Sequence, residues 1–220
     1  MDFLSQEVLE LPGRLGLTFA PGKKTDETGG RWERDLETDL QRLRQEYGVE
    51  ALVSLRERAE YSDLRIPKFF QKAEEMDMDA LHLPIPDYGV PSAPEEDKYR
   101  PLIEDLAGQL EEGQTVVVHC RGGLGQRGLV AASVLVSLGH PSGEAIRIVR
   151  EAREGALETP DQEDRVRWFE MELQPGVVRT KKIRSRAVRT FRSFILVCLS
   201  PMPHEPECSS DQGGQYRVFD

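Results

Sequence analysis

The sequence predicts an α/β domain with a central, mostly parallel sheet and helices on both faces. Three observations predict it. Short runs rich in Val and Leu alternate with helix-period segments over the first 175 residues. The clearest strand, Thr115–Cys120 (TVVVHC), passes through a glycine-rich loop into an apolar helix, Gly128–Gly139 (GLVAASVLVSLG). A chain of 220 residues fits one sizeable α/β domain with a tail and can bury a core without staples.

The elements follow in order. Leu11–Lys24 is rich in Gly and Pro and reads as a short strand between turns. Leu36, Leu40, Leu43 and Tyr47 recur at helical spacing, and Gly48 stops that helix. Val49–Leu55 is a buried strand. A loop follows, then a helix over Ile66–Met76. A short strand from Asp79 leads into a Pro-rich loop that carries Asp87. Lys98–Gly113 is a helix with Leu102, Leu106 and Leu110 on one face. After the Thr115–Cys120 strand, the Gly128–Gly139 helix is apolar on nearly every side, so it belongs at the centre. Pro141–Glu154 is a further helix. Thr159 before Pro160 is an N-cap with proline at the first helical position, opening a helix to Gln174. Trp32 and Trp168 are expected in core or half-buried packing. There is no internal repeat.

Residues 1–175 are read as the domain and 176–220 as a tail, basic first and then rich in Pro, Ser and Gly. Seven basic residues and no acid lie between Arg179 and Arg192. A solvated basic helix with a disordered end fits this stretch. So does a docking segment for an acidic partner or an anionic membrane surface. The whole chain has a net charge of −10, yet residues 179–220 carry +4 and the rest −14. An acidic body argues against nucleic acid as a partner. The three cysteines, Cys120, Cys198 and Cys208, are far apart and form no metal or disulfide spacing. No metal and no cofactor are expected, and the setting is taken as reducing and cytoplasmic. The N-terminus lacks a basic region before an apolar run, and FILVCLSPM is too short to span a bilayer.

The chemistry concentrates in HCRGGLGQRGL, His119 to Leu129. A thiol attacks only as thiolate. At the end of a strand and before a helix, Cys120 would face unpaired backbone N–H groups and the positive end of the helix dipole. On that reading its pKa falls well below the free value of about 8.5. Gly122, Gly123 and Gly125 let the backbone turn its amides inward around a bulky anion. Sulfur attack on phosphorus gives a phosphocysteine that water must clear. The leaving alcohol needs a proton, and Asp87 in PIPDYG is placed to supply it from a flexible loop.

HCRGGLGQRGLVAA resembles the signature of the cysteine-dependent protein tyrosine phosphatases, His-Cys-x-x-Gly-x-x-Arg followed by Ser or Thr. With LGLTFAPGKK, LPIPDYGVP and GALETPDQEDRVRWF, the chain is similar to the kinase-associated, or cyclin-dependent kinase inhibitor 3, group of dual-specificity phosphatases. The likeness runs from Arg14 to Glu172. It implies a phosphotyrosine-phosphatase-like mixed sheet flanked by helices and no metal. It also implies hydrolysis of phosphotyrosine and phosphoserine or phosphothreonine on protein substrates. Carried over, it makes Cys120 the nucleophile, Asp87 the general acid and His119 the residue that orders the loop. Arg121, Gly122, Gly123, Leu124, Gly125 and Gln126 become the phosphate cradle, and Gln162 falls near a water-positioning residue.

The sequence departs from that pattern at the sixth loop position. The family arginine grips two phosphate oxygens in a bidentate fork and offsets transition-state charge. Here Gln126 is neutral, and Arg127 stands where a hydroxyl is expected. One step along a helix turns a side chain by about 100°, so Arg127 is expected to point away from the cradle. Besides a scaffold that acts through its basic tail with the cradle vestigial, two readings stay open. One is a phosphatase slowed on the order of 10³-fold or more. The other is a pseudophosphatase that binds phosphorylated protein or phosphate without turnover.

Overall fold

A computed structural model describes residues 1–24, 33–120, 122 and 125–174. The tail, Trp32, Cys198 and Cys208 lie outside the described residues, as do Arg121, Gly123 and Leu124 of the loop.

Five strands form one sheet: β1 (Asp2–Phe3), β2 (Arg14–Phe19), β3 (Val49–Ser54), β4 (Asp79–His82) and β5 (Thr115–Cys120). Their order is β1-β2-β5-β3-β4. The sheet is mixed: β1 joins β2 antiparallel, and every other pairing is parallel. Among the described residues the helices are α1 (Gln6–Leu9), α2 (Leu36–Gln45), α3 (Glu60–Asp63), α4 (Phe69–Glu74), α5 (Ala93–Glu111), α6 (Gly125–Ser137), α7 (Ser142–Ala152) and α8 (Pro160–Leu173).

The expected class holds because the three inner strands β2, β3 and β5 are largely buried on both sides. All six residues of β5 are buried, as expected of a parallel strand covered on both faces. Alternate side chains enter two cores. Val116, Val118 and Cys120 join Leu15, Leu17 and Val53 beneath α5–α8. Val117 joins Val49 and Leu52 beneath α2 and α4, around Phe69. Helix α6 is buried from Gly125 to Val136, because α5, α7 and α8 surround it on the sheet. Gly48 takes φ 66° after α2, where a side chain would be strained. Thr159 caps α8 by accepting the Gln162 N–H.

Several expectations need adjustment. Helix α5 begins at Ala93 rather than Lys98, with Pro94 in its first turn. Short α1 and α3 and the antiparallel β1 have no periodicity long enough to read from sequence. Trp168 is not packed inside; it is 67% exposed. Gln162, Arg165, Val166 and Phe169 take the inner face of α8, and position 168 falls outside that stripe.

Candidate active site

The site forms at the carboxyl ends of β3 and β5, the customary ligand crevice of an open α/β sheet. β5 ends at Cys120, and α6 begins five residues later at Gly125. Cys120 is fully buried and is not in a disulfide. The backbone N–H of Arg127 donates to its sulfur. Gly122 is exposed at the surface of the loop.

The loop carrying Asp87 follows β4 and is pinned at five points. Leu83 N–H donates to Ser54 O and Ile85 N–H to Leu55 O, both at 3.0 Å. Gln126 Nε2 donates to Ile85 O. Thr159 Oγ1 donates to Tyr88 O at 3.2 Å, and Gln162 Nε2 to Gly89 O at 3.1 Å. A flexible loop was expected; these bonds tie it to β3, α6 and the start of α8. Asp87 itself stays 45% exposed at the mouth of the site. Its Oδ1 lies 3.9 Å from the guanidinium of Arg56, whose side chain is fully buried and also paired with Glu60.

The sixth loop position therefore does structural work. Gln126 is buried and holds the carbonyl of the acid loop. Arg127 is also buried; its charge favours the Cys120 thiolate, and it lies itself in the field of Asp2, Glu158 and Arg153. It lies within the field of the sulfur, although its side chain leaves the first turn of α6 on another bearing than Gln126.

Electrostatics correct one expectation. The Cys120 thiol is not pushed down; burial pushes it up. Arg127 and its N–H, and then Arg56, favour the thiolate, while Asp87 opposes it. Removing a thiolate from water costs more than these charges return. Helix-end amides alone do not reverse the sign once the fork at position 126 is gone. His119 sits on the other face of the sheet, its ring 4.9 Å from that of Phe69. Its own carbonyl accepts the Leu55 N–H at 3.1 Å, so it fixes the strand end from which the loop departs. His82 Nε2 donates to the Arg56 carbonyl, 2.7 Å away, at the base of the same turn.

Sequence reasoning missed Arg56, Glu60 and Glu158. All three lie in charge-dense stretches with no spacing to mark them. Glu158 Oε2 accepts the Gly125 N–H at 2.6 Å, so a carboxylate already occupies the first amide of α6. Gln162 Oε1 accepts the Glu158 N–H at 2.9 Å. A Cβ on Gly125 would fall 2.5 Å from Gln162 Oε1, so any side chain there displaces this bond. Replacing Glu158 with Gln keeps an acceptor for Gly125 and removes a negative charge from the helix end. Phosphate should then bind on the order of fivefold more tightly. Protection of Cys120 from iodoacetamide by inorganic phosphate measures this. Unchanged protection would place Glu158 outside the field of the anion.

Among the described residues, no group of three or more His, Cys, Asp or Glu side chains could hold a metal ion. No helix among them is long and apolar enough to cross a membrane.

The chain matches known proteins over this same region. A family model described as "Polymorphic toxin system, DSP-PTPase phosphatase" matches residues 29–140. Cyclin-dependent kinase inhibitor 3 of Rattus norvegicus is 30% identical over 162 residues, which is 72% of this chain and 73% of the relative. A crystal structure of kinase-associated phosphatase, with its catalytic-site cysteine replaced by serine, superposes with a TM-score of 0.69 at 27% identity. It covers 78% of this chain and 94% of that one. The active form of Tk-PTP superposes with a TM-score of 0.56 at 27% identity, over 72% of this chain and 92% of that one. With Cys120 ending β5, α6 starting at Gly125 and Asp87 on the loop after β4, the chain belongs to the dual-specificity and tyrosine phosphatase family, among relatives of kinase-associated phosphatase.

Proposed function

We propose that the chain hydrolyses phosphate monoesters on proteins through a phosphocysteine at Cys120, slowly for its family. One observation carries this reading. The buried thiol, the first turn of α6 and the exposed carboxyl of Asp87 converge at the ends of β3 and β5, with the acid loop pinned to α6 by Gln126. In the first step the Cys120 thiolate attacks phosphorus as the P–O bond to the leaving group breaks. Protonated Asp87 gives its proton to the departing oxygen. In the second step water attacks phosphorus, the S–P bond breaks, and thiolate and inorganic phosphate are released. The proton of the water returns to Asp87. Phosphoproteins are the proposed substrate class, with kinases among them, because matched relatives are named for kinases. A reducing cytoplasm suits a mechanism that needs a free thiol.

A second reading, phosphate binding without turnover, is favoured by one particular observation. The Gln126 amide is spent on Ile85, so no side chain at that position grips the transferring phosphoryl group.

Aryl phosphate hydrolysis by the full chain separates the two. Turnover that disappears in Cys120→Ser supports the enzyme. Turnover that survives the substitution overturns it, and phosphate binding with no turnover selects the second reading. Asp87→Asn gives an independent signature. Losing the acid should lower hydrolysis by roughly 10²- to 10⁴-fold. Losing its negative charge removes an opponent of the thiolate, so alkylation of Cys120 should become faster in the same variant.

A further inference from the structure

We propose that Arg56, at the turn between β3 and α3, is the resident cation of the phosphate cradle and takes over part of the charge role vacated at position 126. The inference rests on the reading of this site as a phosphate-binding cradle. β3 runs parallel beside β5, with Ser54 opposite His119. Leu55 N–H donates to His119 O, so the ladder continues one step past the strand end. That step sets Leu55 opposite the nucleophile Cys120, and Arg56 is the residue after Leu55. Arg56 therefore leaves the end of β3 one residue beyond the level of the nucleophile, at the same crevice.

The side chain is built in. Its exposure is 0%, and Arg56 and Arg127 are the bulkiest fully buried side chains among the described residues. Burying a guanidinium is costly unless an anion answers it. Glu60 answers it at one end, itself positioned by accepting the Glu57 N–H at 2.8 Å. The other end looks toward Asp87, 3.9 Å away and open to solvent. A buried guanidinium paired with Glu60 and 3.9 Å from the general acid stands beside the mouth of the site, and its fork geometry suits an oxyanion. A phosphate entering between Cys120 and Asp87 passes within its field. The charge reaches the sulfur too, since Arg56 is among the groups favouring the Cys120 thiolate.

The charges that face the sulfur are Arg127 from α6, Arg56 from the β3–α3 turn and Asp87 from the acid loop. Arg127 approaches from within α6, close to Asp2, Arg153 and Glu158. Arg56 approaches from the side of the acid loop, where the leaving group must depart. It is therefore the better placed of the two arginines to meet substrate charge.

The test uses the full chain and two readouts that need no turnover. One is the pH dependence of Cys120 alkylation by iodoacetamide, followed on its own peptide by mass spectrometry. The other is protection of that cysteine by inorganic phosphate. Arg56→Gln should raise the apparent thiol pKa by roughly one unit and weaken phosphate protection on the order of tenfold. Arg56→Lys should keep part of both. Glu60→Gln removes the anion behind Arg56, so it should lower the apparent thiol pKa and leave protection equal or stronger. Opposite signs for the two variants, with native-like thermal unfolding, support the proposal. A merely structural ion pair predicts that both variants move the same way, and that result overturns it. Folded Arg56→Gln with unchanged protection also overturns it. Opposite thiol shifts with no phosphate protection in the parent chain would overturn the phosphatase reading while upholding Arg56 as the cation of the cysteine.

Discussion

Changing Gln126 to Arg and Arg127 to Ser together is expected to raise Cys120-dependent hydrolysis of an aryl phosphate on the order of 10³-fold. That factor corresponds to about 4 kcal/mol of transition-state stabilisation. An arginine at 126 begins on the first turn of α6, where Gln126 now reaches Ile85 O. Its five donors allow one to replace the bond to Ile85 while the fork turns to phosphate. Serine at 127 restores a hydroxyl beside the sulfur for the second step and removes a buried guanidinium whose Nε has no hydrogen-bond partner among the described residues.

The single variants should differ in sign. Arg127 is the charge that most favours the Cys120 thiolate, so Arg127→Ser alone should make the thiol harder to ionise and slow turnover further. Gln126→Arg alone should speed turnover and move its pH profile toward acid. The sign follows from the parent site. Burial holds the Cys120 thiol above its ordinary range, so the reactive thiolate, and with it activity, grows only as pH rises. A new cation beside it reverses part of that shift. Steady-state rates of the four proteins between pH 5.5 and 9 measure all of this. A double variant no faster than the parent would show that more than the fork has been lost from the site.

Most of the fold was legible because its strands are short, apolar and separated by turn residues. TVVVHC could hardly be anything but a central strand, and α6 declares its burial on every side. The cysteine, the glycines and the acid were legible for a related reason: their chemistry needs fixed spacing in one loop, or a fixed place after a strand. The charge balance was not legible. Whether Cys120 ionises easily depends on desolvation and Asp87 weighed against Arg127 and Arg56, three side chains that come from three separate segments. A strand–loop–helix pattern shows the amides but not the cost of burying the sulfur. Arg56 and Glu158 were missed likewise. In LRERAEY and GALETPD each is one charge among several, and only the β3–β5 register and the start of α8 bring them to the loop.

Acid should weaken this fold through His119, and replacing it with Gln should blunt that weakness. His119 is fully buried beside Phe69. Burial first, and then the positive charges of Arg56 and Arg127, push its pKa from 6.5 down to about 3. A hydrogen bond with the Cys120 backbone acts the other way and favours its proton. Between those two values the unfolded chain takes up a proton that the folded chain refuses. The unfolded state thus binds more protons there, and stability rises with pH. The contribution is complete above pH 6.5 and is lost as pH falls toward 3. One proton changes the unfolding free energy by about 1.4 kcal/mol per pH unit. His82, half-buried with a pKa also lowered by burial, adds a smaller slope of the same sign. Urea unfolding of the parent and His119→Gln at pH 4.5, 5.5, 6.5 and 7.5 isolates the term, since carboxylates contribute equally to both. The parent should lose close to one proton's worth of slope on substitution. Parallel curves would mean that His119 titrates in the folded chain as it does in the unfolded one. The strand end beneath the cradle would then tolerate a charge that its burial argues against.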